Sequence, residues 1–335
     1  MRPVHAFAAR EPKSPLAPFN FDMAAPKPDG VVVRVLSCGL CHSDLHMLDN
    51  DWACSSYPLV PGHEVVGVVE EVGAAVTHLR KGDRVGVGWQ RSSCGCCDDC
   101  VRGEESLCDA NRALIVGHHG GFADFVEVDA RFAFKLPHGI ETNDAGPLLC
   151  GGITVYSALR HAGIGPGKRV GVIGLGGLGH LAVRFASAMG CRTTVFTTSP
   201  EKVAEAGEHG AHEAIVARDT DWEREPSAKL DIILNTASAP VKFDRYVNAL
   251  ASDGTLSLVG VGAGKVVVPF GALMAKRRRV MASPIGGTVM IREMLRVADT
   301  LGVRPQTELF PMSEVNAAFD KLRANKVRYR AVLTR

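Results

Sequence analysis

Valine-rich stretches broken by glycine run through residues 30–38 and 65–72, and shorter apolar pieces recur at 84–89 and 122–128. Short β-branched runs bounded by turn residues predict strands, so the first ~140 residues are expected to be mostly β, with turns at Gly and Pro. Near Leu148 the pattern changes. Residues 155–162 carry helical spacing, 169–173 form a short apolar run ending in glycines, and 178–189 are apolar at the period of a helix. The alternation continues through 193–196, 202–209, 213–216, 230–234, 243–250 and 255–259. Strand and helix in strict alternation is the rhythm of βαβ units on a parallel sheet, which predicts a doubly wound domain over 153–283. After Gly286-Gly287 the pattern predicts helices at 290–301 and 313–324 and a strand at 329–333, and these pieces are expected to rejoin the first domain. The fold class is therefore α/β, a mostly-β domain from 1–152 and 284–335 beside a doubly wound one.

A chain of 335 residues exceeds the length at which a single core usually stops growing, in keeping with two domains. The 38 Lys and Arg nearly balance the 36 Asp and Glu, so no large field of one sign draws the protein to nucleic acid or anionic lipid, and a small-molecule partner fits better. The N-terminal residues lack the apolar core of a signal peptide, and no stretch reaches the ~18 apolar residues of a membrane span. A cytoplasmic location is expected, and in a reducing compartment clustered cysteines more often bind metal than pair.

The segment around Ile173 fits G-x-G-x-x-G at Gly174, Gly176 and Gly179, directly after a strand and opening a helix. Glycine allows the tight turn and close backbone approach, and the free N–H groups of the helix start favour a pyrophosphate. Leu175, Gly177 and Leu178 complete the turn. About 20 residues on, where NAD sites usually place a carboxylate, the chain reads Thr197-Thr198-Ser199 with Lys202 just beyond. Hydroxyls and an ammonium suit a 2′-phosphate, which favours NADP, while Glu201 is the carboxylate that a backbone shift would turn toward the ribose.

Cys94, Cys97, Cys100 and Cys108 form C-x2-C-x2-C-x7-C in a stretch rich in Gly and Asp, the spacing of a closed tetrahedral zinc site. Cys96 lacks a cysteine three residues away on either side and stays outside this set. Such a site alone also suits a zinc ribbon on nucleic acid, but the near-neutral charge argues against it. A second group is dispersed: Cys41 in Gly39-Leu40-Cys41-His42-Ser43-Asp44, His63 in Pro61-Gly62-His63-Glu64, and Cys150 before Gly151-Gly152. Singly each has a structural reading, and spacing alone does not bring them together.

These segments, with Gly120-Gly121-Phe122-Ala123, Ile153-Thr154-Val155-Tyr156 and Val327-Arg328-Tyr329-Arg330, resemble the zinc-containing medium-chain alcohol dehydrogenases, most closely the cinnamyl-alcohol-dehydrogenase-like branch with its bacterial aldehyde reductases. The resemblance spans nearly the whole chain. It implies a GroES-like catalytic domain (1–152 and 284–335), a Rossmann cofactor domain (153–283), two zinc ions, NADP(H), and hydride transfer between the cofactor and an alcohol or aldehyde. By the same resemblance Cys41, His63 and Cys150 hold the catalytic zinc, Glu64 sits beside it, and Asp44 orients His63. Ser43 matches the hydroxyl that bonds the reacting oxygen, and His46 the outer end of a proton relay. Thr154, Val259, Gly260 and Ser283 match cofactor contacts, and Arg330 a cation that reaches the cofactor phosphates. Trp52, Cys54 and Ala113 stand at pocket positions where plant relatives carry other residues, which argues against strict monolignol specificity. Relatives suggest a homodimer or tetramer. The alternatives are a zinc-free quinone or enone reductase of the same fold, and a zinc-binding protein without catalysis.

Overall fold

The computed structural model describes residues 1–217, 222, 229–260 and 265–335. The chain divides into two compact units, one of residues 1–150, 287–296 and 305–335, the other of 151–286 and 297–304. The first unit opens with strands β1 (Arg2–Ala8), β2 (Ala17–Met23), β3 (Gly30–Leu40), β4 (Glu64–Val72), β5 (Arg84–Val87), β6 (Gln90–Ser92), β7 (Arg112–Ala113), β8 (Phe125–Asp129) and β9 (Ala133–Lys135). Between and after them lie helices α1 (His42–Asp49), α2 (Asp98–Val101) and α3 (Thr142–Pro147). The second unit carries α4 (Ile153–His161), β10 (Arg169–Ile173), α5 (Gly179–Ala188), β11 (Arg192–Thr197), α6 (Lys202–Glu208), β12 (Glu213–Val216) and β13 (Leu230–Asn235). It continues with α7 (Phe243–Ala249), β14 (Leu250–Leu258), α8 (Phe270–Met274) and β15 (Arg279–Ala282). The chain ends through α9 (Thr288–Thr300), β16 (Thr307–Pro311), α10 (Val315–Arg323) and β17 (Arg330–Thr334).

In the first unit the main sheet runs β16-β17-β3-β4-β5-β9, with β8 also on β3. One flank of β3 is taken by β4. The other is shared, Gly30–Arg34 pairing with β8 and residues 37–40 with β17. β3 is buried on both faces over most of its length, which is why its valines run continuously instead of alternating with polar residues. Val31, Val33, Val35, Val65, Val69, Val85 and Val87 join one core with Phe122 and Phe319.

The second unit holds a sheet in the order β12-β11-β10-β13-β14-β15, every pair parallel. Renumbered from its own first strand, this is 3-2-1-4-5-6, the doubly wound nucleotide-binding order, in which ligands bind outside the carboxyl ends of the strands where the order reverses. The expected α/β class with a mostly-β first part and a parallel-sheet second part is what the structure has.

Several elements lie outside the sequence pattern. The β1–β2 hairpin carries Pro3, His5 and Pro18 among its apolar residues, which blurs its period. α1 has little apolar asymmetry and is started by its cap: Asp44 accepts the backbone N–H of Cys41 at 3.0 Å, a reciprocal first-turn arrangement that satisfies amides left without helical partners. Asn50 closes α1 in the left-handed region, φ 58°. No helix among the described residues is long and apolar enough to cross a membrane.

Candidate active site and metal centres

The caps just described deliver the first donors. Cys41 is the N-cap of α1, His63 precedes β4, Glu64 is its first residue, and Cys150 sits in the wide turn Leu148–Gly152. The sheet brings these dispersed positions together, so that one donor atom from each of Cys41, His63, Glu64 and Cys150 lies within 4.8 Å of all the others. The Cys41 and Cys150 sulfurs are 3.9 Å apart, and His63 Nε2 is 3.2 Å from Cys150 Sγ. Zinc–sulfur bonds of ~2.3 Å at tetrahedral angles need sulfurs ~3.8 Å apart. The donor set and its spacing therefore fit zinc.

Behind the donors, the wholly buried Asp44 accepts from Gly62 N (2.8 Å) and lies 2.9 Å from His63 Nδ1. The proton on Nδ1 leaves Nε2 with its lone pair toward the sulfurs, and the carboxylate raises the ring's basicity as a ligand. Burial alone works against charge on His63, but the Asp44 charge and hydrogen bond override it and hold its pKa above the ordinary range. Cys41 moves the other way: a hydrogen bond from Cys150, then Arg330 and His63, pull its thiol well below the usual value against the cost of burial. Cys150 is raised by that same thiolate neighbour and by burial. One thiolate is thus already favoured before any cation adds its charge.

Glu64 is fully buried and pairs with the nearly buried Arg330. Its pKa is pushed up to about 7, by burial first and by the Cys41 thiolate, with Arg330 opposing. Its second oxygen, Oε2, is buried without a hydrogen-bond partner. A cation beside it would satisfy that oxygen. Gly39 makes the room, since a Cβ there would come 2.0 Å from Oε2. Arg330, expected at cofactor phosphates, is engaged differently here: one nitrogen holds Glu64 and another lies 4.0 Å from Cys41 Sγ. Two buried carboxylates and a thiolate in one place need a cation, and burial gives this one its local partners.

Outward from the donors, Ser43 Oγ is 3.8 Å from Cys41 Sγ, and His46 Nδ1 is 2.7 Å from Asp51. Trp52 packs on the His46 ring at 5.2 Å and on Trp89 at 6.0 Å, while Trp89 meets the edge of His63 at 5.0 Å. Ala113 pairs across from Gln90, next to Trp89. Trp52 and Ala113 thus lie beside Trp89, which is the ring that meets His63, whereas Cys54 is exposed with its sulfur 3.7 Å from Met47. Sequence reasoning missed Asp51 and Trp89. Asp51 lies five residues after His46 beyond the helix end, and only the Asn50 turn reveals its reach.

The four-cysteine loop also closes. Cys94 Sγ lies 3.8 Å from Cys100 Sγ and 3.6 Å from Cys108 Sγ, and one sulfur from each of Cys94, Cys97, Cys100 and Cys108 fits one cluster. Backbone N–H groups of Cys96 and Cys97 pull the Cys94 pKa down to about 6. Cys96 remains exposed and outside the cluster. Between these ligands Glu105, largely buried, accepts from the backbone N–H of Thr288 (2.7 Å) and from its hydroxyl (2.8 Å), capping α9.

In the second unit the glycine turn is built as its spacing requires. Gly174 has φ +88°, a Cβ on Gly179 would meet the Gly174 carbonyl oxygen at 2.0 Å, and a Cβ on Gly176 would meet no atom within 4 Å. The last is the open cradle a pyrophosphate needs, so the turn fits a dinucleotide. Thr236, at the end of β13 and unnoticed in the sequence, donates to the carbonyls of Ile173 and Gly174 and braces the turn. Lys202 Nζ donates to Leu175 O at 2.9 Å. Of the three hydroxyls at the end of β11, Thr198 is exposed and Ser199 half-buried, but Thr197 is buried and spends its oxygen on the Ser199 N–H (3.1 Å). The Val259 and Gly260 amides both donate to Asn235 O, Ser283 bonds Pro284 O, and Thr154 is half-buried in α4.

Two family models match the chain: an alcohol dehydrogenase GroES-like domain over residues 27–138 and a zinc-binding dehydrogenase over 177–300. The chain is 40% identical to the aldehyde reductase AdhA of Synechocystis sp. over 99% of its length and 98% of that protein. It is 41% identical to the 8-hydroxygeraniol dehydrogenase of Catharanthus roseus, over 99% and 95%. Among solved structures it superposes on a cinnamyl alcohol dehydrogenase of Sorghum bicolor with TM-score 0.94 at 37% identity, covering 99% of this chain and 98% of that one. The cinnamyl alcohol dehydrogenase of Helicobacter pylori complexed with NADP(H) gives 0.91 at 29%, over 99% and 98%. With thiol and imidazole donors gathered on one unit and a glycine turn on the other, and with this likeness along the whole length, the chain belongs to the zinc-type medium-chain alcohol dehydrogenases, in their cinnamyl-alcohol-dehydrogenase-like branch.

Proposed function

We propose that the protein is an NADP(H)-dependent alcohol dehydrogenase that acts on a broad range of primary alcohols and aldehydes, aromatic or aliphatic, with catalysis in residues 1–152 and 284–335 and the dinucleotide on 153–283. The observation that carries this reading is the buried Cys41–His63–Cys150 cluster with Asp44 behind His63. In it zinc supplies Lewis-acid polarisation of the substrate oxygen, and the nicotinamide supplies or accepts the hydride. The rest falls to the chain. Asp44 keeps the proton on His63 Nδ1, Arg330 balances the Glu64 and Cys41 charges, and Trp52 and Trp89 wall the approach with apolar rings. Ser43 Oγ would pass its proton to the substrate oxygen and regain one from a relay to solvent, or the reverse in oxidation, with His46, its Nδ1 held by Asp51, as the outer end of that relay. Cys94, Cys97, Cys100 and Cys108 hold the second zinc.

The preference for NADP is supported by Thr198, Ser199 and Lys202 beside the glycine turn, by Lys202 leaning on its carbonyl, and by the NADP(H) complex of the Helicobacter pylori relative. Thiol ligands need a reducing compartment, which supports a cytoplasmic location. Exposed Val267, Phe270 and Met274, with β15 at the sheet's outer edge, support a homo-oligomer.

The test is the initial rate of NADPH and NADH oxidation by the zinc-loaded protein with cinnamaldehyde. Faster turnover with NADPH supports the reading. Equal or better turnover with NADH removes the NADP assignment, and no turnover with either moves the protein to another carbonyl substrate or to a non-catalytic role.

A further inference from the structure

The second residue of α5, behind the glycine turn, is a histidine with no solvent exposure, His180. Its ring Nδ1 lies 2.9 Å from the carbonyl oxygen of Gly176, and its backbone N–H reaches the same oxygen at 3.1 Å. A carbonyl only accepts, so Nδ1 carries the proton. Two donors from one residue therefore fix the Gly176 carbonyl on the α5 side of the turn. The peptide that follows is planar and trans, so its C=O and N–H point in opposite directions. Pinning the Gly176 carbonyl turns the N–H of the half-buried Gly177 away from His180 and off the N-terminal end of α5, next to Gly176, on which a Cβ would meet no atom within 4 Å. An unpinned glycine pair would lose that orientation easily, because glycine populates both hands of backbone space.

The imidazole is itself held. The ring of His209 packs against it at 5.4 Å, tilted by 59°. His209 Nδ1 accepts from Arg184 Nε at 3.1 Å. Burial, with Arg184 adding to it, pushes the His209 pKa down to about 4, so the packed ring is neutral near pH 7 and brings no charge against His180.

We propose that His180 is a positioning residue for the cofactor: through the Gly176 carbonyl it orients the Gly177 amide toward the dinucleotide pyrophosphate, and it sets affinity for that group without taking part in hydride transfer. This rests on the dinucleotide reading given above. The prior ordering of this amide lowers the cost of binding, since the ligand need not reorganise the turn.

Binding is measured by fluorescence titration on the zinc-loaded, full-length protein with three probes: NADPH, ADP-ribose (pyrophosphate but no 2′-phosphate) and adenosine 2′-monophosphate (2′-phosphate but no pyrophosphate). His180→Phe keeps a ring against His209 and removes the donor; His180→Asn keeps a donor at the Nδ1 position. The expected result is a loss of about tenfold, ~1.4 kcal/mol, for NADPH and ADP-ribose in H180F, with H180N near wild type and adenosine 2′-monophosphate unchanged in both. In turnover the KM for NADPH rises by a similar factor while kcat at saturating NADPH stays within about twofold. If H180F fails to fold, His180→Leu replaces it and the comparison with H180N is read in the same way. Wild-type binding of NADPH and ADP-ribose by a folded donor-less variant overturns the proposal, as does a loss in H180N equal to that in H180F. Failure of the wild type to bind adenosine 2′-monophosphate while it binds ADP-ribose removes the NADP assignment and leaves the role of His180 standing.

Discussion

Asp44 shows how much one side chain does here. It caps α1, takes the Gly62 amide and fixes the His63 tautomer, all without solvent. The position of Cys41 and the direction of His63 follow from the same carboxylate, so the site is ordered by its supports as much as by its donors. Replacement of a donor should act differently from damage to the fold. Cys150→Ser should lower bound zinc from two toward one per chain and cut turnover by a factor of ~1,000 or more, with nucleotide affinity and the melting temperature nearly unchanged. Metal analysis beside a titration with NADPH checks this, and a fully active variant with two zinc ions would exclude Cys150. At this scale the sequence was informative in proportion to locality. The four cysteines spaced by two, two and seven were legible without help, while Cys41, His63 and Cys150 came together only through the family resemblance. Asp51, Trp89 and Thr236 were not legible, because their contacts are made by turns and pairings that carry no pattern of their own.

Elements with an unmixed period were read well, and those held by caps were not. The six parallel strands of the second unit are short apolar runs, and each appeared in the sequence within a few residues of its place, except β15, whose Arg279 and half-exposed partners mask it. α1 was missed since capping, not amphipathicity, defines it. α9 is the reverse case, strongly amphipathic yet started from far away in sequence by Glu105, which reaches it from within the cysteine loop. The lobe and the helix are packed close, for a Cβ on Gly287 would meet the Gly103 carbonyl oxygen at 2.0 Å. Glu105→Ala should leave the backbone N–H and hydroxyl of Thr288 buried and unmatched, a cost of roughly 2–3 kcal/mol. Denaturant unfolding should show this loss, and removal of zinc from Cys94, Cys97, Cys100 and Cys108 in the wild type should reproduce much of it, because the metal orders the loop that presents Glu105. Equal stability of the variant and the wild type would deny that the cap matters.

Across the whole molecule, one group that makes stability fall in acid lies in the second unit. His209 has an ordinary pKa of 6.5 and a folded value of about 4. Between these values the unfolded chain binds a proton that the folded chain refuses, so stability is complete above about pH 6.5 and declines as the pH falls toward 4. The linkage is at most ~1.4 kcal/mol per unit, and screening near the surface trims the loss to roughly 1–2 kcal/mol. Melting curves from pH 7 to pH 4 on the wild type and on His209→Gln test this; the variant should be less stable at pH 7 and flatter across the window. A wild-type curve as flat as that of the variant would remove His209 from the acid response.

The shared flank of β3 bears on how the protein is made. Gly30–Arg34 gain their partner when β8 emerges, but residues 37–40 wait for β17, far later in the chain, and Glu64 waits there for Arg330. The cysteine lobe, complete by Cys108, is ready for metal while most of the chain is still to come. The candidate catalytic half is thus begun well before it can be completed: a released chain truncated after Tyr329 should protect its zinc lobe from protease yet leave the β3 edge open to cleavage or to pairing with its neighbours, so synthesis of β17 acts as the checkpoint for a sound active site.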